Sequence, residues 1–207
     1  MFLKKTTFLL RAGLLLALAA GLSGCSLKGM AVNAVANTLA APSDVMTRDD
    51  DPVFMEAAIP FGLKMYESIL ESTPKHQGLL TATCSGYTSY TYAFVQTPAE
   101  LAQFTDRAAY RAGIDRAQKL YMRAKNYCMR ALEARYPGTG KALLMDPDGA
   151  VRKMKKSDVE LLYWTASSWG LAMSLGKDQP DLVADFPVVR SMAEKALALD
   201  PLWSNGA

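Results

Sequence analysis

The segment spanning residues 106–135 repeats its apolar residues at the spacing of an α-helix. At about 100° per residue, one broad face of this helix collects tyrosine, leucine, cysteine and alanine side chains. The opposite face carries four basic residues: Arg116, Lys119, Arg123 and Arg130. Ala117, Ala124 and Ala131 recur every seven residues in the middle of the apolar face. Small residues there let a neighbouring helix approach closely, so the pattern predicts a long helix packed between antiparallel neighbours.

Helical patterns continue through the chain after Pro52, where no alternating strand pattern extends beyond a few residues. They predict helices over residues 53–72, 77–96, 106–135, 158–175 and 180–199. Ser157 and Glu160 have the spacing of a capping box at the start of the fourth helix, and Gly176 marks its end. The predicted fold class is therefore all-α.

Matched residues 127 positions apart indicate an internal repeat. The matches pair Pro60, Met65, Glu67, Leu70 and Pro74 with Pro187, Met192, Glu194, Leu197 and Pro201. A proline inside a helix costs roughly 3 kcal/mol or more, so its recurrence suggests a shared kink or restart. The ending at residues 196–201 is similar to the second helix of a tetratricopeptide repeat (TPR). These features predict TPR-like helical hairpins stacked as an α-solenoid.

Residues 1–24 have the layout of a secretory signal peptide, with basic residues, no acidic residue and an apolar run from Ala12 to Leu22. That run of 11 residues spans about 16 Å as a helix, roughly half of a hydrocarbon core. It ends in Leu22-Ser23-Gly24-Cys25, the pattern of a lipobox whose cysteine is acylated after cleavage. Two or three acyl chains make an effectively permanent anchor, so we expect a lipoprotein held to a membrane through Cys25.

Residues 25–51 are small and polar, which predicts an acylated N-terminus and a flexible tether ahead of a helical domain over residues 52–207. Ser26 follows the cysteine, and lipoproteins without Asp at this position resemble outer-membrane proteins that face the periplasm. Asp49, Asp50 and Asp51 fit a solvated linker better than a calcium loop, because the Gly and distal Glu of such loops are absent. The segment Asp146–Gly149 is typical of a type I turn.

Charge and rare residues exclude several functions. Three of the 23 basic residues lie in residues 1–24, which leaves 20 against 20 acidic residues and gives no reason to invoke nucleic acid. Cys84 and Cys128 would meet an oxidising periplasm and could pair if their backbones approach, although two buried free cysteines are the favoured interpretation. His76 is the sole histidine. We therefore predict no catalytic site, no metal site and no cofactor.

Two groups of side chains are candidate binding residues. Tyr87, Tyr90, Tyr92 and Phe94 could line a ligand cleft or pore, although a wholly buried helix has the same composition and this core interpretation is favoured. Trp164 and Trp169 present the same ambiguity. The basic stripe of Arg116, Lys119, Arg123 and Arg130 could contact an acidic partner or anionic headgroups, although a solvated helix face is the commoner outcome.

Four stretches resemble one known family: Pro60–Lys64, Ser85–Val95, Leu162–Gly170 and Leu199–Pro201. The family is the T component associated with tripartite ATP-independent periplasmic (TRAP) transporters, often called TatT, and the resemblance covers most of residues 52–207. It implies a lipoprotein with a helical, TPR-like fold that forms small oligomers such as a trimer. It also implies a partner, the periplasmic solute-binding protein of a TRAP system.

The function expected is that of an outer-membrane-anchored periplasmic lipoprotein, a non-catalytic binding or adaptor component of TRAP-type solute transport. A general envelope scaffold that uses TPR-type protein interactions is the alternative. Family members generally continue past the segment equivalent to Asp200-Pro201 with a further hairpin, whereas this sequence stops at Ala207, so a truncated chain is also an expectation.

Replacing the lipobox cysteine tests the anchor. We expect Cys25→Ala to accumulate as an unprocessed, non-acylated precursor, because the thiol that receives the first lipid is gone. Metabolic labelling with a fatty-acid analogue measures this, and equal incorporation into the wild type and the variant would exclude a lipobox.

Overall fold

The computed structural model describes residues 29–41 and 45–206, and this part of the chain is mainly helical and contains no β-strand. The first helix, α1, spans residues 29–40. It is followed by α2 (Val45–Arg48), α3 (Pro52–Ser72), α4 (Gln77–Thr91), a π-helix (Tyr92–Gln96), α5 (Thr97–Leu101), α6 (Arg107–Arg135), α7 (Thr139–Met145), α8 (Pro147–Val151), a 3₁₀ turn (Lys156–Asp158), α9 (Val159–Leu175), α10 (Pro180–Val183), α11 (Phe186–Leu199) and a 3₁₀ turn (Trp203–Asn205). The all-α prediction is confirmed.

The predicted helices lie where the sequence pattern placed them, with two interruptions, one of them a π-helix at Tyr92–Gln96. The segment predicted as a helix over residues 180–199 is divided into α10 and α11. Pro180 and Pro187 each lie in the first turn of one of these helices, where a missing backbone N–H costs no hydrogen bond.

Helix starts are capped by side chains. The Asp51 carboxylate accepts hydrogen bonds from the backbone of Val53 and Phe54 at the start of α3. Asp106 does the same for α6. Asp146 accepts from the Gly149 N–H, so the segment predicted as a turn begins a short helix, α8.

The predicted capping box of Ser157 and Glu160 is wrong. Asp158, which is 1% exposed, lies at this position and accepts hydrogen bonds from the Lys155 N–H (2.7 Å) and the Tyr136 hydroxyl (2.6 Å). Arg135 forms an ion pair with the same carboxylate. The ion pair with Arg135 on α6 therefore helps to fix the start of α9. The spacing of neighbouring residues could not predict this contact. Gly176 ends α9 as predicted.

The major helices pack in an antiparallel order. Along the α4–α6 pair, Cys84 meets Cys128 whereas Gln96 meets Tyr121, so the two chains run in opposite directions. Along α6 and α9, Arg135 contacts Asp158 whereas Lys125 lies on Trp169. α11 packs against α9, and a four-residue link joins α3 to α4 as a hairpin. α6 lies at the centre, in contact with both α4 and α9.

Small residues set the close approach along α6. Ala117, Ala124 and Ala131 are all 0% exposed, as the seven-residue pattern predicted. At Gly113, an added Cβ would lie 2.4 Å from the Cβ of Ala99 on α5, a distance that real side chains do not adopt. The helices therefore pack at a separation that larger side chains would not permit.

The matched prolines of the sequence repeat occupy different structural positions. Pro60 lies inside α3, whereas Pro187 lies in the first turn of α11. Glu67 has a side chain that is 10% exposed and makes several contacts, whereas Glu194 is 66% exposed and pairs with Arg190. The 127-residue spacing thus does not give the paired residues equivalent roles.

Part of the expected tether is helical. Ala36 in α1 is fully buried against the helical domain. The Tyr66 hydroxyl donates to the Leu39 carbonyl, and the His76 ring is hydrogen-bonded to Asn37 (3.0 Å). This differs from the flexible tether expected over residues 25–51. The signal peptide and Cys25 lie outside the described residues.

A disulfide joins the two central helices. Cys84 on α4 and Cys128 on α6 are bonded, with their Cα atoms 5.4 Å apart and both side chains fully buried. The favoured sequence interpretation, two free buried cysteines, is therefore wrong. The 44-residue separation could not show that antiparallel packing brings these two positions face to face.

Breaking the disulfide should destabilise the protein. Replacing both Cys84 and Cys128 with Ala should lower the free energy of unfolding by roughly 2–4 kcal/mol, because the bond restricts the unfolded chain. Thermal melts with and without reductant measure this. We expect reductant to lower the melting temperature of the wild type and to leave that of the double variant unchanged; equal reductant sensitivity would contradict a structural disulfide.

Candidate ligand-binding groove

The four aromatic residues predicted as one wall lie in different environments. Tyr87 and Tyr90 are core residues, 5% and 7% exposed. Phe94 is half-buried and packs on the Tyr90 ring, with centroids 5.7 Å apart. Tyr92 is 54% exposed. The core interpretation therefore holds for Tyr87 and Tyr90, whereas Tyr92 remains at the surface.

Tyr92 is the first residue of a π-helix that directly follows α4. In the turn Tyr92–Gln96, the Thr97 N–H bonds to the Tyr92 carbonyl, five residues back, and the Thr97 hydroxyl donates to the same oxygen (2.8 Å). Such a turn holds one more residue than an α-helical turn and changes which side chains share a face. The helix predicted over residues 77–96 is therefore a regular α-helix only as far as Thr91.

Tyr92 lines an open groove between α4 and α9, with a volume of about 680 Å³. The walls combine aromatic, small and hydroxyl-bearing side chains: Thr88, Ser89, Tyr92, Ala93, Tyr163, Trp164, Ala166, Ser167, Gly170 and Leu171. Trp164 packs edge-on against Tyr163, with ring centroids 5.0 Å apart. Apolar walls with a few hydroxyls are typical of sites that bind small organic molecules.

The groove continues along α9 toward α11. A second cleft of about 350 Å³ shares Tyr163, Ala166 and Ser167 with the first. Its far side is formed by α11 and by Trp203, whose ring lies 4.8 Å from that of Tyr163. We refer to both clefts together as the α9 groove. Sequence reasoning missed Tyr163, Ser167 and Trp203, because their convergence depends on how three separate segments pack.

Glu67 organises the opposite side of the domain. Its carboxylate accepts hydrogen bonds from the hydroxyls of Tyr87 (2.8 Å) and Tyr127 (2.9 Å) and pairs with Arg123 (2.8 Å) and Lys64. Burial raises the pKa of Glu67, but these hydrogen bonds and the charge of Arg123 outweigh it, so the pKa lies below its ordinary value of 4.5. The hydrogen-bond acceptor of the Tyr87 hydroxyl thus lies on α3.

All four residues of the predicted basic stripe are exposed, but they differ in the partners they contact. Arg123 is paired with Glu67 and lies over the Tyr87 ring, 5.2 Å from its centroid. Arg130 donates to the Pro74 carbonyl (3.2 Å) and lies over the Tyr127 ring. Arg116 and Lys119 are exposed. Two members therefore hold α3 and α4 against α6, which a helix projection alone could not show.

Comparison with known proteins identifies the family of the chain. The model of the TRAP transporter T-component family matches residues 48–207. The chain belongs to this family. An uncharacterized protein of Treponema pallidum (strain Nichols) is 32% identical in an alignment of 206 residues, and the alignment covers 89% of this chain. The chain spans 63% of the length of that relative. Among the described helices, none is long and apolar enough to cross a membrane.

Neutralising Glu67 should remove a pH-dependent part of the stability. Because its pKa is lowered in the folded protein, Glu67 stabilises the fold above about pH 4.5, and this contribution is lost as the pH falls through the folded-state pKa. Glu67→Gln should cost roughly 1–3 kcal/mol at pH 7. Thermal melts between pH 3 and pH 7 should show that the difference from the wild type shrinks toward low pH.

Glu194→Gln is the matched control, because Glu194 is 66% exposed. We expect this variant to change stability by less than about 0.5 kcal/mol. Curves for the wild type and Glu67→Gln that stay parallel across the pH range would show that Glu67 does not titrate as its contacts imply.

Proposed function

We propose that this chain is a non-catalytic binding component of TRAP-type solute transport, carried as a lipoprotein on the periplasmic side of the outer membrane. The family match supports the link to TRAP transport. The lipobox ending in Cys25 and the Ser26 that follows support the anchor and its location. Acylation places the domain on a membrane without a spanning helix.

The helical domain is a stack of TPR-like hairpins. The antiparallel order of α3, α4, α6, α9 and α11 supports this assignment, because each helix buries its apolar face against its neighbours in the chain. Its partner is a periplasmic solute-binding protein, and small oligomers such as trimers follow from the family resemblance. Arg116 and Lys119, both exposed on α6, are the part of the basic stripe suited to an acidic partner surface.

An apolar or amphipathic small molecule is the ligand we assign to the α9 groove. The observation that carries this assignment is an open surface of aromatic and aliphatic side chains interspersed with hydroxyls. Tyr92 offers an exposed ring for contact and a phenolic oxygen for a hydrogen bond. The aromatic rings of Tyr163, Trp164 and Trp203 give the groove a large surface for noncovalent contact.

Binding of a fluorescent amphipath, dansyl-undecanoic acid, to the full-length protein in detergent tests the groove. Tyr92→Ala should weaken binding roughly tenfold, which corresponds to losing about 50 Å² of apolar contact. Ser167→Phe should abolish binding, because the new ring would fill the point where the two clefts meet. Fluorescence titration gives Kd, and thermal melts check that each variant folds.

Two controls separate binding from stability. Phe104→Ala removes an apolar ring that is 92% exposed outside the groove, and should leave Kd unchanged. Tyr87→Phe should lower stability by about 1 kcal/mol through its lost bond to Glu67 and leave Kd unchanged. No saturable binding by the wild type, or equal Kd for Ser167→Phe, would refute the groove assignment and favour a general envelope scaffold.

A further inference from the structure

A third cleft lies against α6 and shares no lining residue with the α9 groove. It has a volume of about 790 Å³ and is bounded by α6 on one side and by the segment around α10 on the other. The α6 wall carries Gln118, Lys119 and Lys125. The facing wall carries Asp178, Asp181 and Asp185. Cations and hydrogen-bond donors on one wall thus face acids on the other.

Lys125 is held in an unusual position for a surface lysine. Its ammonium lies 3.7 Å from the centroid of the Trp169 ring, which is itself 2% exposed. Burial lowers the pKa of Lys125, and the charge of Asp185 opposes this shift in part. An ammonium group that has lost part of its hydration would be stabilised by a nearby negative charge.

Two further donors near this wall lack acceptors. Among the described residues, neither the Gln118 side-chain Nε2 nor the Trp169 indole Nε1 has a hydrogen-bond partner, although both atoms are buried. The Gln118 Oε1 is already used, because it accepts from Gln179 Nε2 (3.2 Å) and so joins the two walls at one end. Buried donors without acceptors are rare and costly, so Gln118, which lines the cleft, would be stabilised by an acceptor oxygen placed beside it.

The opposing charges do not neutralise each other. Within residues 29–41 and 45–206, the five charged side chains of the cleft make no ion pair within 4.0 Å. The aspartates are also not grouped as a metal-binding cluster in this part of the chain. The two charged walls are therefore held apart by a gap.

We propose that this cleft binds a small zwitterion of the amino-acid class. The ligand carboxylate lies beside Lys125 and Gln118, and its ammonium group faces the aspartates of the α10 segment. A simple carboxylate beside the lysines would leave the three aspartates without a cation, and a simple amine beside the aspartates would leave Lys119 and Lys125 without an anion. A molecule with both charges satisfies both walls. This site is separate from the α9 groove and does not depend on the function proposed for it.

Calorimetric titration of the full-length protein in detergent tests the proposal with defined probes. L-alanine and γ-aminobutyrate carry both charges at different separations, whereas propionate and propylamine each carry one. We expect saturable binding of at least one zwitterion, and binding of both single-charge probes that is weaker by roughly tenfold or more. Quenching of tryptophan fluorescence gives an independent readout, because Trp169 supports Lys125.

Variants then locate the site. Lys125→Met keeps the length of the side chain and removes the charge, so it should weaken zwitterion binding roughly tenfold or more without lowering the melting temperature. Lys141→Met, an exposed lysine outside the cleft, should leave Kd unchanged.

Three outcomes would overturn the proposal. The first is no saturable binding of either zwitterion by the wild type. The second is propionate binding as tightly as the zwitterions, which would indicate an anion site. The third is an unchanged Kd in Lys125→Met, which would place the bound molecule elsewhere.

Discussion

Close packing on both sides of α6 is the constraint on which the rest of the domain depends. This 29-residue helix contacts both α4 and α9, and its central alanines are fully buried. Their small side chains bring the neighbouring helices close enough for the Cys84–Cys128 bond on one side and the Arg135–Asp158 pair on the other. A larger residue at Ala124 would force both neighbours outward, because a packed interior leaves no room to accommodate it.

Local patterns predicted most of the helices, because the periodicity and the ends of a helix depend on residues that are close in the sequence. Apolar spacing located α6, and Gly176 located the end of α9. The π-helix at Tyr92 was not predicted, since its cause is a single turn with one extra residue. Helix α1 was also not predicted, because a segment of small and polar residues is typical of a linker. Only the structure shows that Ala36 is buried against the core.

The candidate sites were harder to predict, because every one of them combines distant segments. Tyr87 was correctly considered as core, but its partner Glu67 lies 20 residues away on α3. Arg123 and Arg130 were correctly placed on the polar face of α6, yet both have partners from the α3–α4 hairpin. The contact between Lys125 and Trp169 was not predicted, because 44 residues separate the two in the sequence. α9 connects the two sites: Tyr163, Ser167 and Gly170 face the groove, whereas Trp169 faces α6.

The disulfide also has a mechanical consequence. It closes a covalent loop that contains Tyr92, the π-helix, α5 and most of α6. If tension is applied between the two ends of the chain, the 44-residue segment between the cysteines cannot extend. Fully stretched, that segment would span about 150 Å. When the chain is pulled until it unfolds, its contour length with the disulfide intact is therefore shorter by about that amount than with the disulfide reduced. The segment that contains Tyr92 and forms one wall of the groove does not bear the applied force.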